Sequence, residues 1–553
     1  MTRTKSLILI AGLLILVVLV AALSLPIPLT PYARDRITEA LSERFDAKVE
    51  LASLRVSVLP RLAVAGNGVV LRHRGRTDVP PLIEIESFSA DANLWGLFGD
   101  PLRLHNVTLG GLQITIPPGG MRGERSEEAD SFTGELSRAE TKPASSSSAP
   151  QDDAGRTAQR PPSKPAAAGR GAEAPLIIGE VVSERAVLRI MPRESGKTPR
   201  DFQIHQLTMR DVGANVPWRF RATLTNPTPP GEIHTEGSFG PWSTGEPART
   251  PLEGRYTFKD ADLGVFDGIG GRLDSNGRFG GVLERIDVRG RTTTPAFVVT
   301  LSGQPAPLET TFHSVVDGTN GNTWLDPVNA TLIETPIVAK GGVVGKPGVK
   351  GRTISLDVVI DGGRIQDVLR LAMKAKPPVM TGALDLKTAF LLPPGDAEVI
   401  DKLQLDGQFS IAKARFTEFS VQEKLAELSQ KSRGRKGAPS ADAAARVLSD
   451  LRGKFVLKQG VLRFSSLRFG MPGAAVQLAG TYALRGERLD FRGTVTLDAK
   501  LSELTSGFKS LLLRAVDPLF RREGKKTVVP ITISGTRHDP KFGLDIKRAF
   551  ARP

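Results

Sequence analysis

Lys48-Val49-Glu50-Leu51-Ala52-Ser53-Leu54-Arg55-Val56-Ser57-Val58 places an apolar side chain at every second position on either side of one slip in phase near Ser53. Side chains of an extended chain alternate between two faces, so this spacing describes a strand with one buried and one wetted face. The slip marks a bulge. Just upstream the period is different. Thr30-Pro31 supplies an N-cap and a first helical residue, after which Ile37, Leu41 and Phe45 recur every four positions. A short amphipathic helix therefore precedes the first strand. Its Arg34, Arg36 and Arg44 suit either a headgroup layer or the surface of a cap over the first strands.

Farther upstream, Leu7 to Leu23 holds only Leu, Ile, Val, Ala and one Gly, and Leu25 extends the run beyond Ser24. At ~1.5 Å per residue a helix of this length reaches roughly 26 to 28 Å, close to the hydrocarbon thickness of a bilayer. A cleaved signal sequence is the rival reading, but its apolar core is ordinarily shorter and Ala22-Leu23-Ser24 is a mediocre cleavage site. Arg3 and Lys5 before the span put the N-terminus in the cytoplasm and the rest of the chain across the membrane.

Downstream the period of two persists. Leu62 to Leu71, Leu82 to Ala92 and Leu102 to Ile116 read as strands, followed by 180–191, 202–212, 219–224, 232–239, 254–258, 297–301, 331–339, 353–360 and 383–391. Between Pro117 and Pro175 the pattern gives way to Ser, Ala, Pro, Gly and mixed charge, a disordered insertion within one architecture. Helical spacing is confined to 362–374, a pair at 421–432 and 441–451, and the amphipathic stretch 501–520. A loose echo links Leu104 to Leu109, Ile178 to Val182 and Leu457 to Leu462, as duplicated hairpins would.

Composition narrows the class. With 57 Gly, 40 Pro, 6% aromatic residues and three Tyr, the chain suits many short strands around an aliphatic interior. The net charge of +15 favours polyanions, but no basic helix with stacking aromatics and no zinc-finger spacing accompanies it, which argues against nucleic acid. From Lys500 to Arg552, twelve Lys or Arg face five Asp or Glu, so this end suits anionic headgroups or an acidic partner, or is simply solvated surface. There is no Cys, hence neither disulfide nor thiolate site. The six His residues lie far apart without metal spacing. Gly341 to Lys346 is one residue short of a phosphate loop, and Pro347 stands where Ser or Thr would bind magnesium. No nucleophile elbow or paired carboxylates stand out, so no enzyme, cofactor or metal site is expected.

The C-terminal region carries Gly460-Val461-Leu462, Leu467-Arg468-Phe469-Gly470-Met471-Pro472-Gly473-Ala474, Leu478-Ala479-Gly480-Thr481-Tyr482, Leu489-Asp490-Phe491-Arg492-Gly493 and Pro530-Ile531-Thr532-Ile533-Ser534-Gly535-Thr536 with Pro540-Lys541-Phe542-Gly543. It resembles the C-terminal domain of AsmA-like proteins, and Ile37 to Leu41, Val49 to Leu51 and Leu59-Pro60 resemble that family's opening helix and strand. Asp46 departs from the resemblance, since a Gly is expected after the helix. The likeness covers both ends and only the general strand pattern between them. It implies a relative of the bridge-like lipid-transfer proteins: one inner-membrane helix, a long periplasmic β-groove with an apolar floor, and a role in moving phospholipid and maintaining the outer membrane.

The expected fold is mainly β: a transmembrane helix, then a long curled antiparallel sheet forming a repeating groove, with a few capping helices. Its parts are a cytoplasmic 1–6, a span 7–25, an N-terminal helix and sheet 26–117, the insertion 118–175, a central groove 176–400 and a C-terminal domain 401–553. Groove-floor candidates are Val49, Leu51, Val56, Val58, Leu62 and Val64, then Leu102, Leu104, Ile114 and Ile116, and at the far end Val476, Leu478, Val495, Leu497, Ile531 and Ile533. Periodicity identifies a buried face without its partner, so a helix or second sheet is the competing cover. The expected function is phospholipid binding and transport between inner and outer membrane. The expected partners are phospholipid and the inner membrane, with the outer membrane or its assembly proteins beyond them. The alternative is a structural or assembly factor for outer-membrane proteins or an envelope complex.

Overall fold

A computed structural model describes most of residues 31–42, then 47–57, 63–73, 80–92, 102–116, 176–191, 199–417 with short breaks, 449–497, and 521–544 with one break. The expected span 7–25 and the helices at 421–432 and 501–520 lie outside the described residues, as does the whole insertion 118–175. Among the described residues no helix is long and apolar enough to cross a membrane.

Among the described residues the chain forms 27 strands that join in one sheet. The first eight are β1 (Ala47–Ser57), β2 (Ala63–His73), β3 (Ile83–Ala92), β4 (Leu102–Gly110), β5 (Leu112–Ile116), β6 (Leu176–Ser183), β7 (Ala186–Ile190) and β8 (Arg200–Val212). The middle holds β9 (Trp218–Pro227), β10 (Pro230–Phe239), β11 (Pro251–Asp262), β12 (Ile269–Gly270), β13 (Arg272–Val282), β14 (Arg285–Val299), β15 (Ala306–Val316), β16 (Thr323–Leu332), β17 (Thr335–Val344) and β18 (Thr353–Arg364). After helix α1 (Ile365–Ala372) come β19 (Met380–Leu392), the single turn α2 (Val399–Lys402), β20 (Gln404–Phe416) and β21 (Ser449–Lys458). The chain continues with β22 (Val461–Met471), β23 (Ala474–Ala483), β24 (Arg488–Leu497), β25 (Arg521–Glu523), β26 (Lys526–Thr536) and β27 (Pro540–Leu544). Pairing is continuous from β1 to β27, and at ~4.8 Å per strand the stack measures on the order of 100 Å along its hydrogen-bonding direction.

The alternation in the opening stretch survives as a burial pattern: Ala47, Val49 and Leu51 face inward, then Leu54 and Val56 do so after the slip. The slip does not shift the register. Leu51 pairs with Val69 and Ser53 with Asn67, because β2 slips at the same place through Gly68, whose φ of +68° suits a residue without Cβ. The helical positions between 31 and 42 cover this corner, with Ile37 buried among Val64, Ala90, Leu102, Val107 and Val181. Arg34 donates to the Leu51 carbonyl, which fixes this helix as a cap on the first strands.

One step of the sheet contradicts the antiparallel expectation. β4 and β5 are one long strand bent at Gly111, β6 and β7 are a second, and the two run in parallel from Leu102 beside Leu176 to Ile116 beside Ile190. A parallel neighbour has to be reached by a crossover that returns along the whole strand, here about 45 Å at ~3.3 Å per residue. Residues 117–175 join Ile116 to Leu176 across this parallel step. The echo noticed in the sequence acquires a meaning here: Leu104 pairs with Ile178, Asn106 with Glu180 and Val107 with Val181. The third member is different, since Leu457 and Leu462 face each other across a hairpin turn.

Three local readings are corrected. Residues 331–339 are not one strand, because Ile333 adopts φ +58° and turns β16 into β17 without any Gly or Asn to announce it. Ser449 to Leu451 belong to β21, so the helix expected at 441–451 does not reach its stated end. β15 and β20 lie between the strands that the alternation marks, and β13 carries Gly277, Gly280 and Gly281, which blur the alternation of large residues.

Contacts between strands far apart in the pairing order show that the sheet curls. Gln304, after β14, donates through Nε2 to the carbonyls of Met373 at 2.6 Å and Ala375 at 3.2 Å, just past α1. Gly268, ahead of β12, rests against Val399 of α2. Helix α1 packs Val368 and Leu369 on Ile360, Leu384 and Ile411, and its buried Asp367 accepts from the Thr335 hydroxyl at 2.8 Å. The helix thus straps one rim of the curl.

Candidate functional site

The apolar face has two parts that differ in closure. Near the N-terminal end it partly encloses a chamber of about 410 Å³. Ile37 and Leu41 from the helix, Val49, Leu51 and Val64 from β1 and β2, and Leu102, Leu104 and Ile114 from β4 and β5 all line it. Thr38 and Thr115 are its polar wall residues. Across the space stand Trp218, Phe239 and Leu283, so β9, β10 and the turn after β13 have curled back over β1 to β5. Trp218 and Phe239 meet with ring centroids 5.8 Å apart.

Of the ten N-terminal residues proposed from the sequence, Val49, Leu51, Val64, Leu102, Leu104 and Ile114 therefore converge on one cavity. Val56 packs beside it, against the cluster of Val64 and Leu102. Val58 and Leu62 lie outside the described residues; Ile116 ends β5, and its side chain is outside them too. Sequence reading missed the opposite wall. Trp218 and Phe239 flank the strand pair β9–β10 as direct partners, but nothing in their spacing says which distant strands they face.

From β18 onward the apolar face opens into rows that run across the strands. One row passes through Ile360, Leu386, Phe409, Gly453, Leu467, Leu478, Gly493 and Ile531, each the direct partner of the next. A second carries Phe455, Phe464, Gly480, Phe491 and Ile533, and a third Phe469, Val476, Val495 and Val529. All six C-terminal candidates lie on this face: Val476, Leu478, Val495, Ile531 and Ile533 are half-buried, and Leu497 is buried against Met471 and Ala474. The competing cover does stand over the N-terminal candidates, as the helical positions between 31 and 42 and the returning strands β9 and β10, whereas over the far rows it is found, among the described residues, only at the α1 strap.

Glycine next to aromatic is the local device of these rows. Phe409, Phe455 and Phe464 stand with ring centroids 6.1 and 6.4 Å apart, and Phe491 lies 5.8 Å from Phe464. A Cβ on Gly453 would meet the Phe409 ring at 2.7 Å. The absent side chain lets the ring lie flat on the sheet, which keeps the floor of the curl level and apolar. The other face is wet: Asp385, Lys387, Asp406, Arg452, Lys454, Arg468 and Arg492 alternate with these residues and are exposed.

No family model, no curated protein and no solved structure matches this chain.

Proposed function

We propose that this chain is a non-enzymatic lipid-binding protein, anchored in the inner membrane through residues 7–25 with its bulk in the periplasm. Its curled sheet holds phospholipid tails on the apolar face and passes them between inner and outer membrane in support of outer-membrane biogenesis. The observation that carries this reading is the pairing of a partly enclosed apolar chamber with long, largely half-buried apolar rows on one continuous face. The resemblance of both chain ends to AsmA-like proteins supports it, as does a stack long enough to act as a conduit. Each methylene moved from water to such a lining gains ~0.8 kcal/mol. A methylene takes a volume near the ~30 Å³ share of a water, so the chamber has room for roughly a dozen, a substantial part of one acyl chain. Headgroups stay wetted at the open side, and passage along the face needs no bond making.

The test is native mass spectrometry of the full chain after gentle detergent extraction, combined with lipid transfer between donor and acceptor vesicles. Co-purified phospholipid is expected, with transfer abolished by Leu104→Glu or Leu478→Glu in protein that remains folded. A lipid-free chain with stoichiometric protein bound instead favours an assembly factor for outer-membrane proteins, and unchanged transfer in both variants contradicts the conduit.

A further inference from the structure

The polar face of the same sheet carries an arrangement that the lipid reading does not use. Arg221, Glu236, Arg255, Arg278 and Arg289 are successive direct partners across β9, β10, β11, β13 and β14. Like charges directly opposite one another destabilise a strand pair, and this row contains two such steps, Arg255 beside Arg278 and Arg278 beside Arg289. Glu236 answers only the first part of it. Its carboxylate accepts from Arg255 and, secondarily, from Arg221, which hold it below the usual carboxylate range. Among the described residues no carboxylate pairs with Arg278, Arg289 or the neighbouring Arg291. Asp287, the acid on β14, is bound by His313 Nε2 at 2.6 Å.

The row runs into a trough of about 1070 Å³ in which five arginines, Arg278 among them, outnumber Glu180, Glu236 and Glu253. Its shape follows from strand twist, which makes any wide sheet saddle-shaped and so concave along one diagonal of each face. Arg278 stands at one end of this trough, and Arg289 and Arg291 line the smaller hollow that shares Arg278 with it, so three unanswered guanidinium groups follow one another along the wet face. We infer that this trough docks an extended acidic segment of a partner protein. Carboxylates presented along a narrow chain can reach the floor of a concavity and meet guanidinium groups in two-pronged fashion. A flat bilayer would touch only the rim, and the two phenylalanines at the trough, Phe220 and Phe279, alternate with its arginines along β9 and β13 and so are not presented as a row for stacking bases.

The experiment uses the full chain in detergent and a fluorescein-labelled peptide of alternating Glu and Ser. Parallel arms use phosphatidylglycerol vesicles and a single-stranded oligonucleotide. Replacing Arg278, Arg289 and Arg291 together with Gln is expected to weaken peptide binding at least tenfold at low salt, whereas the exposed set Arg463→Gln, Arg468→Gln and Arg492→Gln changes it less than twofold. The first triple variant is also expected to melt no lower than the parent, since it relieves repulsion. The inference is overturned if the parent does not bind the peptide, if both triple variants weaken it equally, or if only vesicles or only the oligonucleotide depend on the three arginines. Because these residues sit on the wet face, vesicle-to-vesicle lipid transfer is expected to be unchanged, which separates this result from the fate of the lipid reading.

Discussion

At the β1 to β10 end, the apolar face has folded in on itself: Val64 is 0% and Leu102 1% exposed, and Ile37 reaches over them. At the β20 to β26 end, the same alternation yields Leu478, Val495 and Ile531 that stay half-buried, beside Phe491, Leu497 and Val529, which are buried by their neighbours on the sheet. Both regions use every second residue of antiparallel strands. They differ in what stands opposite: a helix and the returning strands β9 and β10 in the first, no described element in the second. Identical local patterns therefore become a core or a lining according to long-range curl, and the chemistry of a face does not by itself decide its role.

The comparison is broken most directly by a charge. Leu102→Asp puts an unpaired carboxylate in the chamber wall and is expected to cost about 4 kcal/mol or more, whereas Leu478→Asp on the open floor should cost roughly 1 to 2 kcal/mol. Urea denaturation followed by limited proteolysis measures both, and equal penalties would mean that the far rows are as closed as the chamber. Phe409→Ala removes a ring shared with Phe455 and Phe464, with an expected loss of about 2 to 3 kcal/mol, below the full-core value because the ring is partly exposed. A loss near zero would remove the aromatic floor from the account.

Helix α1 sharpens the boundary between the regions. Asp367→Ala leaves the Thr335 hydroxyl and the Glu334 amide without their acceptor, and about 1 to 3 kcal/mol of strap stability should go with it. Hydrogen exchange is expected to rise across α1 and the β16–β17 turn and to stay unchanged at β1 to β5. The smallest effect concerns the Arg189–Asp201 pair, which holds β7 to β8 with contacts of 2.9 and 2.7 Å. The side-chain hydrogen bond from Arg189 keeps Asp201 below the usual carboxylate range. Its contribution is fully present above the unfolded value near ~3.9 and is lost as pH falls through the lower folded value. Asp201→Asn should therefore cost at most about 1 kcal/mol at pH 7, and the difference from the parent should vanish in strong acid.

Much of this was legible in the residues. Alternation in Val49 to Val56 located β1 and its inward face, and the six C-terminal candidates fell on one side of the sheet because a period of two is preserved across every regular pairing. Strand neighbours were not legible. The parallel step escaped notice because a crossover leaves no local mark beyond a long polar connection, and that signature also fits an insertion. The turn at Ile333 escaped because a β-branched residue took a left-handed conformation, against ordinary propensity. The opposite wall of the chamber, Trp218, Phe239 and Leu283, depends on curl, which is the sum of small twists over many strands and is written in no single segment.

The central claim is that the open rows face hydrocarbon. A photo-crosslinking residue placed at Leu478, on the apolar face, and in a separate protein at Gln477, its neighbour on the wet face, tests it in membranes. Phospholipid acyl-chain adducts at position 478 and none at 477 are the result expected here. Adducts at neither position, or equally at both, would contradict it.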